Sequence, residues 1–530
     1  MAYQLDELGV EGLSVAVLKR RIAELEEIAR PRLRRLWAYY ANPMRLCRVA
    51  DGEGLSDRPY RQAQEWGLPP RITGVRSGRE AFAGETLPQV TRKEVVIEND
   101  IGWRIDTGVD YLFGREVAIE STAADADRRA MITSLLRAVL EHNGGMGFLQ
   151  QLALMGAVYG FVDVLVKVDL PTGAAGASAG SAPTPQAGSG PSERPAEGGL
   201  DDQTDAGAAN WPPDAAIARI ARRIRLEIVE PARALPFLDG RDWRRVAAYA
   251  QVYERPVIDD GRRGARREEA WWKRWLGSNI AGTEPRVQVV EIITPARWQK
   301  YEDGRLVSAG ENSLGRIPLA HMQNTAVPVS YGGGSDVEVL VPLQDELNTR
   351  LSDRASRITM QSFRMYLGKG IENFLEMPVG PGRMWMSDNP DAKVEEFGGD
   401  DAAPSESAHI QDLREAMDKT SSVTPIAAGA IKGRIGRLTS AAALRITLLA
   451  LLSKTDKKRT TYGRGIGQIC ELALAWLDRS GLFATAPEER GIELNWPSPL
   501  PENDAEKLQE AQMKAALGVP KEVLLKELGY

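Results

Sequence analysis

The chain has 530 residues, of which 43% are hydrophobic and 26% are charged, and its formal net charge is −6. This length exceeds what one core can organise and predicts roughly three or four domains, while the composition excludes a wholly disordered or fibrous chain. The acidic balance also disfavours a protein that grips nucleic acid by bulk charge.

The sequence contains two cysteines, Cys47 and Cys470. They cannot build a disulfide framework or a thiolate metal cluster, so a reducing compartment is expected. The acidic N-terminus lacks the basic and apolar regions of a signal peptide, which makes secretion unexpected. The most apolar stretch, residues 149–168, contains Asp163 and Lys167, and no transmembrane segment is predicted.

Three helices and a strand are predicted in the first third of the chain. The first helix covers residues 13–40, where apolar residues recur at three- and four-residue spacing: Leu18, Ile22, Leu25 and Ile28. Two more are expected from about Asp125 to His142 and from about Phe148 to the break at Tyr159-Gly160. Valines at every second position of FVDVLVKVD then predict a strand.

A low-complexity insertion follows this strand. Of the thirty residues 171–200, twenty-five are Pro, Gly, Ala, Ser or Thr. Such a composition buries too little apolar surface to offset the entropy lost on ordering. We therefore expect a flexible insertion over about residues 171–210, on which function does not depend.

Short β-rich runs separated by Gly and Asp turns extend from Ile217 to Val329 and predict an antiparallel sheet region. Asp303-Gly304 marks a hairpin within it. Residues 262–275 combine several arginines with three tryptophans. Two interpretations stay open for them: an exposed hairpin with inward-facing tryptophans, which is favoured, and a nucleic-acid site.

Helical patterns dominate from Ser335 onward. Ser335 and Glu338 fit a capping box, and the helix that follows is expected to be kinked near Pro342. Leucines recur along it every four residues: Leu343, Leu347 and Leu351. A β element of about forty residues, a helix over 406–421, a loop of Gly, Ala and basic residues and a long helix over 438–479 are predicted next. The glycines at 463–467 favour a break in that helix, and Asn503 is expected to cap a last helix to Leu517.

Motifs of nucleotide, protease and hydrolase sites do not occur in the sequence, which has no Walker-type phosphate loop, HExxH pair or GxSxG elbow. The histidines His142, His321 and His409 lie far apart along the chain. A metal site or a histidine-based catalytic site is therefore disfavoured. We predict no catalytic residues, no metal and no cofactor.

Several motifs follow one another in a recognisable order. The first begins at Asn99-Asp100, passes through Ile105-Asp106 and Val109-Asp110, and closes with YLFG at residues 111–114. Later come GRIPLAHMQNTA, VPLQDELNTRLSDRASRI, RLTSAAALRITLLALLSKT and the ending WPSPLPENDAEKLQEAQMKAALGVPKEVLLKELG. Together they resemble, over most of residues 95–530, the portal proteins of tailed double-stranded DNA bacteriophages, which connect head and tail.

The resemblance implies an α+β portal-type subunit. By order along the chain, it would comprise a helical/β wing (1–334), a first stem helix (335–365), a small α/β clip (366–405), a second stem helix (406–421), a tunnel loop (422–437), a long wing helix (438–479) and a short helical crown (480–530). The insertion near 171–210 is not part of the family pattern. Because the sequence stops soon after its last helical pair, no long C-terminal barrel is expected.

For function, the resemblance implies a ring of about twelve subunits at one capsid vertex, which conducts double-stranded DNA during packaging and ejection. The expected partners are further copies of the chain, DNA bound without sequence preference, the terminase that drives packaging, head-completion or adaptor and tail proteins, and the major capsid protein, with no membrane. The expected location is the virion, after assembly in the host cytoplasm.

Two groups of site residues are predicted from this mapping. The tunnel loop carries three glycines and three basic residues, which are expected to form a narrow basic collar that touches phosphates briefly: Gly429, Gly433, Gly436, Lys432, Arg434 and Arg437. Alternatively, the basic residues bind carboxylates of a neighbouring subunit or cap the preceding helix. The second stem helix carries acidic residues that either line the channel or face solvent or a neighbour: Asp412, Glu415 and Asp418.

Two other classes of protein remain as alternatives. A phage scaffold or tail-adaptor protein would not form a closed ring of about twelve subunits. A DNA-packaging enzyme would need a phosphate-binding loop or clustered metal-binding carboxylates, and the sequence patterns show neither.

Overall fold

The structure is a computed structural model that describes residues 3–46, 60–73, 94–169, 213–242, 244–256, 286–362, 365–369, 390–397, 404–427, 445–500 and 504–527. Within these ranges, the chain combines helices with antiparallel sheets, in agreement with the predicted α+β class. It divides into two compact units. The first unit comprises Met1–Arg34, Gly108–Ser335 and Leu452–Tyr530, and the second unit comprises Arg35–Thr107 and Asp336–Leu451.

The described helices, in chain order, are α1 (Val15–Glu24), α2 (Arg30–Ala41), α3 (Pro70–Thr73), α4 (Asp100–Phe113), α5 (Ala126–His142), α6 (Gly145–Tyr159), α7 (Pro213–Ala221), α8 (Val341–Ser362), α9 (Pro404–Ser421), α10 (Leu449–Arg479), α11 (Asp504–Ala516) and α12 (Lys521–Glu527). The described strands are β1 (Met44–Leu46), β2 (Tyr60–Gln62), β3 (Ala118–Ser121), β4 (Phe161–Val168), β5 (Ile224–Val229), β6 (Ala234–Leu238), β7 (Val246–Pro256), β8 (Arg286–Ile293), β9 (Arg297–Glu302), β10 (Arg305–Glu311), β11 (Leu319–Gln323), β12 (Met365–Lys369), β13 (Lys393–Phe397) and β14 (Ile492–Asn495).

The first unit contains the larger sheets. Five antiparallel strands lie in the order β10-β9-β8-β7-β6, and three lie in the order β11-β4-β5. The predicted sheet region therefore divides between two sheets, and it opens with a helix, α7, that contains Ile217. The hairpin predicted at Asp303-Gly304 is confirmed: both residues have positive φ, 45° and 74°, as a two-residue turn between β9 and β10 requires.

Residues 15–41 are helical, as predicted, but the helix contains a π turn at Leu25–Ala29. Pro31 explains this turn, because a proline has no N–H and its ring crowds the carbonyl one turn earlier in a regular α-helix. Leu18, Ile22 and Leu25 are buried. Ile28, predicted in the same apolar row, lies inside the wider turn and is 68% exposed.

Helices α5 and α6 confirm the predicted pair, with α6 starting three residues earlier than expected. Gly160 ends α6 in the left-handed conformation, at φ 95°, and β4 follows directly. Val164 and Val166 of β4 join the main core, while Leu165 on the other face joins a second apolar cluster. Residues on both faces of β4 are thus buried, which simple alternation of polar and apolar residues did not indicate.

The predicted break in the long helix is wrong, because α10 is continuous through the glycines at 463, 465 and 467. Gly465 allows close packing instead. A Cβ atom at Gly465 would lie 2.0 Å from Cγ of Met322, which is itself buried. Nearby, the Trp476 indole donates a hydrogen bond to the Val166 carbonyl oxygen at 2.9 Å, so α10 is fixed against β4.

In the second unit, α8 begins at Val341, after a short 3₁₀ turn at Glu338–Leu340, rather than at the predicted capping box. The Ser335 hydroxyl donates to the Val158 carbonyl oxygen at 2.6 Å within the first unit. Pro342 falls in the first turn of α8, where its missing N–H costs no intrahelical hydrogen bond, instead of producing a kink. Farther along, β12 and β13 pair antiparallel, which agrees with the predicted β element.

Several sequence predictions fall outside the described residues. They concern the insertion at 171–210, the arginine- and tryptophan-rich segment at 262–275, and Asn503. Among the residues that are described, no helix is long and apolar enough to cross a membrane.

Candidate functional site

The residues predicted for the tunnel loop lie between two described ranges, which end at Ala427 and begin again at residue 445. These residues are Gly429, Lys432, Gly433, Arg434, Gly436 and Arg437. The three acidic residues predicted for the second stem helix are described, and all of them lie on α9: Asp412, Glu415 and Asp418.

The buried face of α9 determines where these acidic side chains point. Ile410, Leu413 and Met417 are buried at three- and four-residue spacing and form one apolar stripe. Asp412 and Glu415 lie on the opposite face and are exposed. Both carboxylates are therefore available to solvent or to another molecule.

Asp418 lies at the edge of the stripe and has a different environment. Its carboxylate oxygen is 2.6 Å from Nη1 of Arg104, a residue of α4 whose side chain is only 2% exposed. Nη2 of Arg104 lies 3.4 Å from the carboxylate of Asp100, one turn earlier on the same helix. The guanidinium carbon is also 4.4 Å from the centroid of the Trp103 ring. Asp418 thus belongs to a partly buried ion pair and is not a freely exposed acid.

The same arginine binds the end of α9. Its Nη1 donates to the Val423 carbonyl oxygen at 2.6 Å and to the Ser421 hydroxyl at 3.3 Å. The Ser421 hydroxyl in turn accepts from the Val423 N–H at 3.1 Å. Between them, Ser422 has φ 63°, a left-handed conformation uncommon for a residue other than glycine. The chain therefore leaves α9 through a tightly bonded turn, where the predicted tunnel loop begins.

Helix α8 contributes a row of buried polar side chains at four-residue spacing, Gln344, Asn348 and Ser352. They accept hydrogen bonds from backbone N–H groups of the segment before and at the start of α4: Ile101 to Gln344 (3.2 Å), Glu98 to Asn348 (3.0 Å) and Val96 to Ser352 (3.0 Å). Because buried backbone groups need partners, this row fixes the segment along α8.

Ion pairs join α9 to α8 and to the segment before α4. Arg357 of α8 pairs with Glu406 of α9. At another point of contact, His409 of α9 lies 3.4 Å from the Glu346 carboxylate of α8. Arg414 of α9 reaches the Glu98 carboxylate at 2.6 Å. These pairs are partly exposed, so each contributes little to stability, about 0–1 kcal/mol, but together they restrict how α9 lies on its neighbours.

Sequence patterns did not indicate Arg104 or the polar row of α8. Leucines recur every four residues along this helix, but the fully buried row combines Leu347 with Gln344, Asn348 and Ser352. The Gln-x₃-Asn-x₃-Ser spacing is the only signal that the sequence contains, and it does not identify the partner backbone. Arg104 and Asp418 are 314 positions apart, a separation that periodicity cannot bridge.

A second polar centre lies in the first unit around Asp163 of β4, which is 0% exposed. Its carboxylate accepts from the hydroxyls of Tyr249 (2.8 Å) and Tyr331 (2.9 Å), and it lies 2.7 Å from Nδ1 of His321. Burial raises the pKa of both tyrosines well above 10, so both hydroxyls keep their protons. His321 therefore belongs to the hydrogen-bonded network around Asp163.

Within the described ranges, no cluster of His, Cys, Asp or Glu side chains is arranged to hold a metal ion. Helix α9 thus exposes the carboxylates of Asp412 and Glu415, and a hydrogen-bonded turn follows the helix.

A comparison with known protein families agrees with the resemblance inferred from the sequence. A family model described as "Phage portal protein, SPP1 Gp6-like" matches residues 200–529. A chain of the solved structure "Virion of native gene transfer agent (GTA) particle" is similar with a TM-score of 0.40 and 12% identity, over 81% of this chain and 88% of that chain. A search of curated proteins finds no match. The family match covers more than half of the chain, which therefore belongs to the SPP1 Gp6-like family of phage portal proteins.

Proposed function

We propose that the protein forms a ring of about twelve subunits at one vertex of a phage capsid, and that double-stranded DNA passes through the ring during packaging and ejection. The observation that carries this proposal is the family match, because it includes α8, β12, β13, α9, the segment after α9 and α10. In this assignment, α8 and α9 are the stem helices, β12 and β13 belong to the clip, α10 is the wing helix, and α11 and α12 belong to the crown.

The size of the ring follows from helix geometry. Twelve helices placed side by side at ~10 Å have their axes on a circle about 38 Å across, which leaves a bore of roughly 28 Å. Such a bore admits a DNA duplex, whereas six helices at the same spacing would close too tightly. The estimate supports a ring of about twelve and excludes much smaller rings as conduits.

The charges of α9 suit DNA that must slide. Every phosphate that a protein neutralises adds affinity, so a channel lined by basic residues would hold the duplex in place. The exposed carboxylates of Asp412 and Glu415 avoid this, and we assign them to the channel face. Lys432, Arg434 and Arg437 then form one narrow basic collar in the segment after α9, where brief phosphate contacts slow the DNA without stopping it.

The partners follow from this position. The ring would dock the terminase that drives packaging, then head-completion or adaptor and tail proteins, and it would contact the major capsid protein. It would act within the virion after assembly in the host cytoplasm. Its role is structural, and the chemistry of packaging would belong to the motor.

Electron microscopy of the purified full-length protein, combined with mass measurement in solution, tests the ring. Closed rings of about twelve copies with a central opening support the proposal. Open filaments, or closed rings too small for a duplex in assembled particles, contradict it. An adaptor or scaffold protein would also fail to give such rings.

Replacing the three basic residues together, Lys432→Gln, Arg434→Gln and Arg437→Gln, tests the collar. Rings should still assemble, while DNA packaging or retention in filled heads should fall. Normal rings with unchanged packaging and retention would show that the collar does not touch DNA. Loss of rings would instead favour contacts with a neighbouring subunit.

A further inference from the structure

Arg104 occupies an unusual place in the second unit, because a buried cation meets the last turn of α9. Its guanidinium binds Asp418, Ser421 and Val423, which are the final residues before the chain continues to Thr424. Val423 is itself 3% exposed, and Ala427 closes the next turn by donating to the Thr424 carbonyl oxygen at 2.9 Å. The exit from α9 is therefore built around one side chain.

The charge of this side chain makes the exit position specific. An arginine keeps its proton in proteins, so Arg104 is a permanent charge that is almost fully removed from water. If residues 418–423 moved away, the guanidinium would lose its two closest partners, the Asp418 carboxylate and the Val423 carbonyl oxygen, and would keep the Asp100 carboxylate at 3.4 Å, which is unfavourable. A purely apolar contact would tolerate small shifts, whereas the hydrogen bonds from Nη1 of Arg104 to Asp418 and Val423 require one position of the helix end.

The backbone at the exit depends on the same contacts. Ser422 adopts a left-handed φ of 63°, which a serine holds only when its surroundings compensate for the cost. The bond from Arg104 to the Val423 carbonyl oxygen and the bond from the Val423 N–H to the Ser421 hydroxyl flank this residue on the chain. Together they set the direction in which the chain leaves α9.

We propose that Arg104 is a positioning residue that fixes where and in which direction the segment after α9 leaves the helix pair. This inference rests on the proposed function, which assigns that segment to the DNA channel. Arg104 itself does not touch DNA. It acts through the position of Val423 and Thr424, from which that segment continues.

Two variants test the role in different ways. Arg104→Lys keeps the positive charge but replaces a planar fork with a single ammonium group, which cannot match the same set of acceptors. Asp418→Asn keeps the shape and an acceptor oxygen but removes the negative charge. Arg414→Lys is the control, because it makes the same chemical change as Arg104→Lys but on α9, in the ion pair with Glu98.

Each variant is prepared as the full-length chain in assembled rings. Brief trypsin treatment followed by mass spectrometry gives the cleavage rates after Lys432, Arg434 and Arg437. DNA retention in filled particles is measured separately. We expect Arg104→Lys and Asp418→Asn to form rings, to change the cleavage rates several-fold and to lower retention. Arg414→Lys should match the unmodified protein in both measurements.

The outcomes separate this inference from the proposed function. Changed cleavage with unchanged DNA retention would support positioning by Arg104 and count against contact between the segment and DNA. The inference would be overturned if both variants had the same cleavage rates and the same DNA retention as the unmodified protein. It would also be overturned if both variants failed to fold while Arg414→Lys folded, because Arg104 would then serve stability alone.

Discussion

At the scale of single residues, the centre around Asp163 shows how a buried charge can join parts of a fold. The carboxylate lies on β4, Tyr249 on β7 of the five-stranded sheet, and His321 on β11 beside β4. Tyr331 reaches the same carboxylate from the chain that follows β11. Two sheets and the chain between β11 and α8 thus share one acceptor.

Replacing Asp163 with Ala should lower the free energy of unfolding by about 3–5 kcal/mol, because the hydroxyls of Tyr249 and Tyr331 lose their acceptor and His321 loses its partner. Asp163→Asn should cost less, since one carbonyl oxygen remains. The exposed Asp169, at the end of the same strand, provides the control, and Asp169→Ala should change stability by about 0.5 kcal/mol or less. Denaturant unfolding of the three variants measures the differences. Equal midpoints for Asp163→Ala and Asp169→Ala would contradict a stabilising role for the centre.

Cys470 should not react in the folded protein. It is buried in the main core, and burial raises the pKa of its thiol to about 12, so the reactive thiolate is scarce at neutral pH. In a Cys47→Ser variant, a thiol reagent should label Cys470 only after denaturant is added. Rapid labelling of the native variant at pH 8 would mean that the core around α10 opens readily.

Sequence patterns identify single residues unevenly. They correctly indicated the apolar row at Leu18, Ile22 and Leu25, because helical periodicity is a local property. They gave no sign of the Arg104–Asp418 pair, because ion pairing depends on which distant segments meet. Ser335 matched a capping pattern, yet its hydroxyl bonds to Val158, since a tertiary partner can replace a local one.

At the scale of elements, the glycines of α10 differ in how closely they pack, although each lowers helix propensity. Position 465 faces buried Met322, whereas a Cβ at Gly467 would have its nearest neighbour, Ile492, at 3.9 Å. Glycine lowers helix stability relative to alanine, so each glycine is retained at a cost unless packing requires it. The low helix propensity of three glycines led to the predicted break. The helix nevertheless continues through all three of them in the structure.

Alanine at the two positions should have opposite effects. Gly467→Ala should raise stability by about 0.5–1 kcal/mol through helix propensity. Gly465→Ala should lower it, because displacing Met322 in a packed core costs about 1–3 kcal/mol and outweighs the same gain. Thermal unfolding of both variants provides the comparison. A higher melting temperature for Gly465→Ala than for Gly467→Ala would show that α10 and β11 are less tightly packed than described.

At the scale of the whole molecule, the insertion near residues 171–210 separates two parts of the first unit that are otherwise well packed. Strand β4 before it pairs with β5 after it over six residue pairs, from Asp163 with Val229 to Val168 with Ile224. This pairing depends on residues outside the insertion. Nothing in the composition of the insertion suggests that it could replace those contacts.

Deleting Ala174 to Ala208 should therefore leave folding and ring formation largely intact, because long surface connections add little closure entropy and few large apolar residues are removed. Size exclusion with mass measurement and a melting curve would test this. A Gly/Ser segment of equal length in the same place separates the effect of length from that of sequence. Insoluble protein or absent rings in both variants would assign the insertion a structural role.

The α+β class and most helix positions could be predicted from the sequence, because both follow from local periodicity and turn residues. The division of the sheet region between two sheets could not, since β4, which precedes the insertion, takes the central place between β5 and β11. The family could be recognised because its motifs keep their order. The turn after α9 could not be predicted, because it depends on Arg104 of α4, which is distant in sequence.

The polar row of α8 has a consequence for how such a protein can change over generations. Gln344, Asn348 and Ser352 recognise backbone groups of residues 96–101, and every residue except proline offers the same backbone N–H and C=O groups. Mutations in the recognised segment can therefore accumulate without breaking these bonds. Mutations of Gln344, Asn348 or Ser352 would break them. Of these two segments in contact, residues 96–101 therefore tolerate substitution better than the polar row of α8.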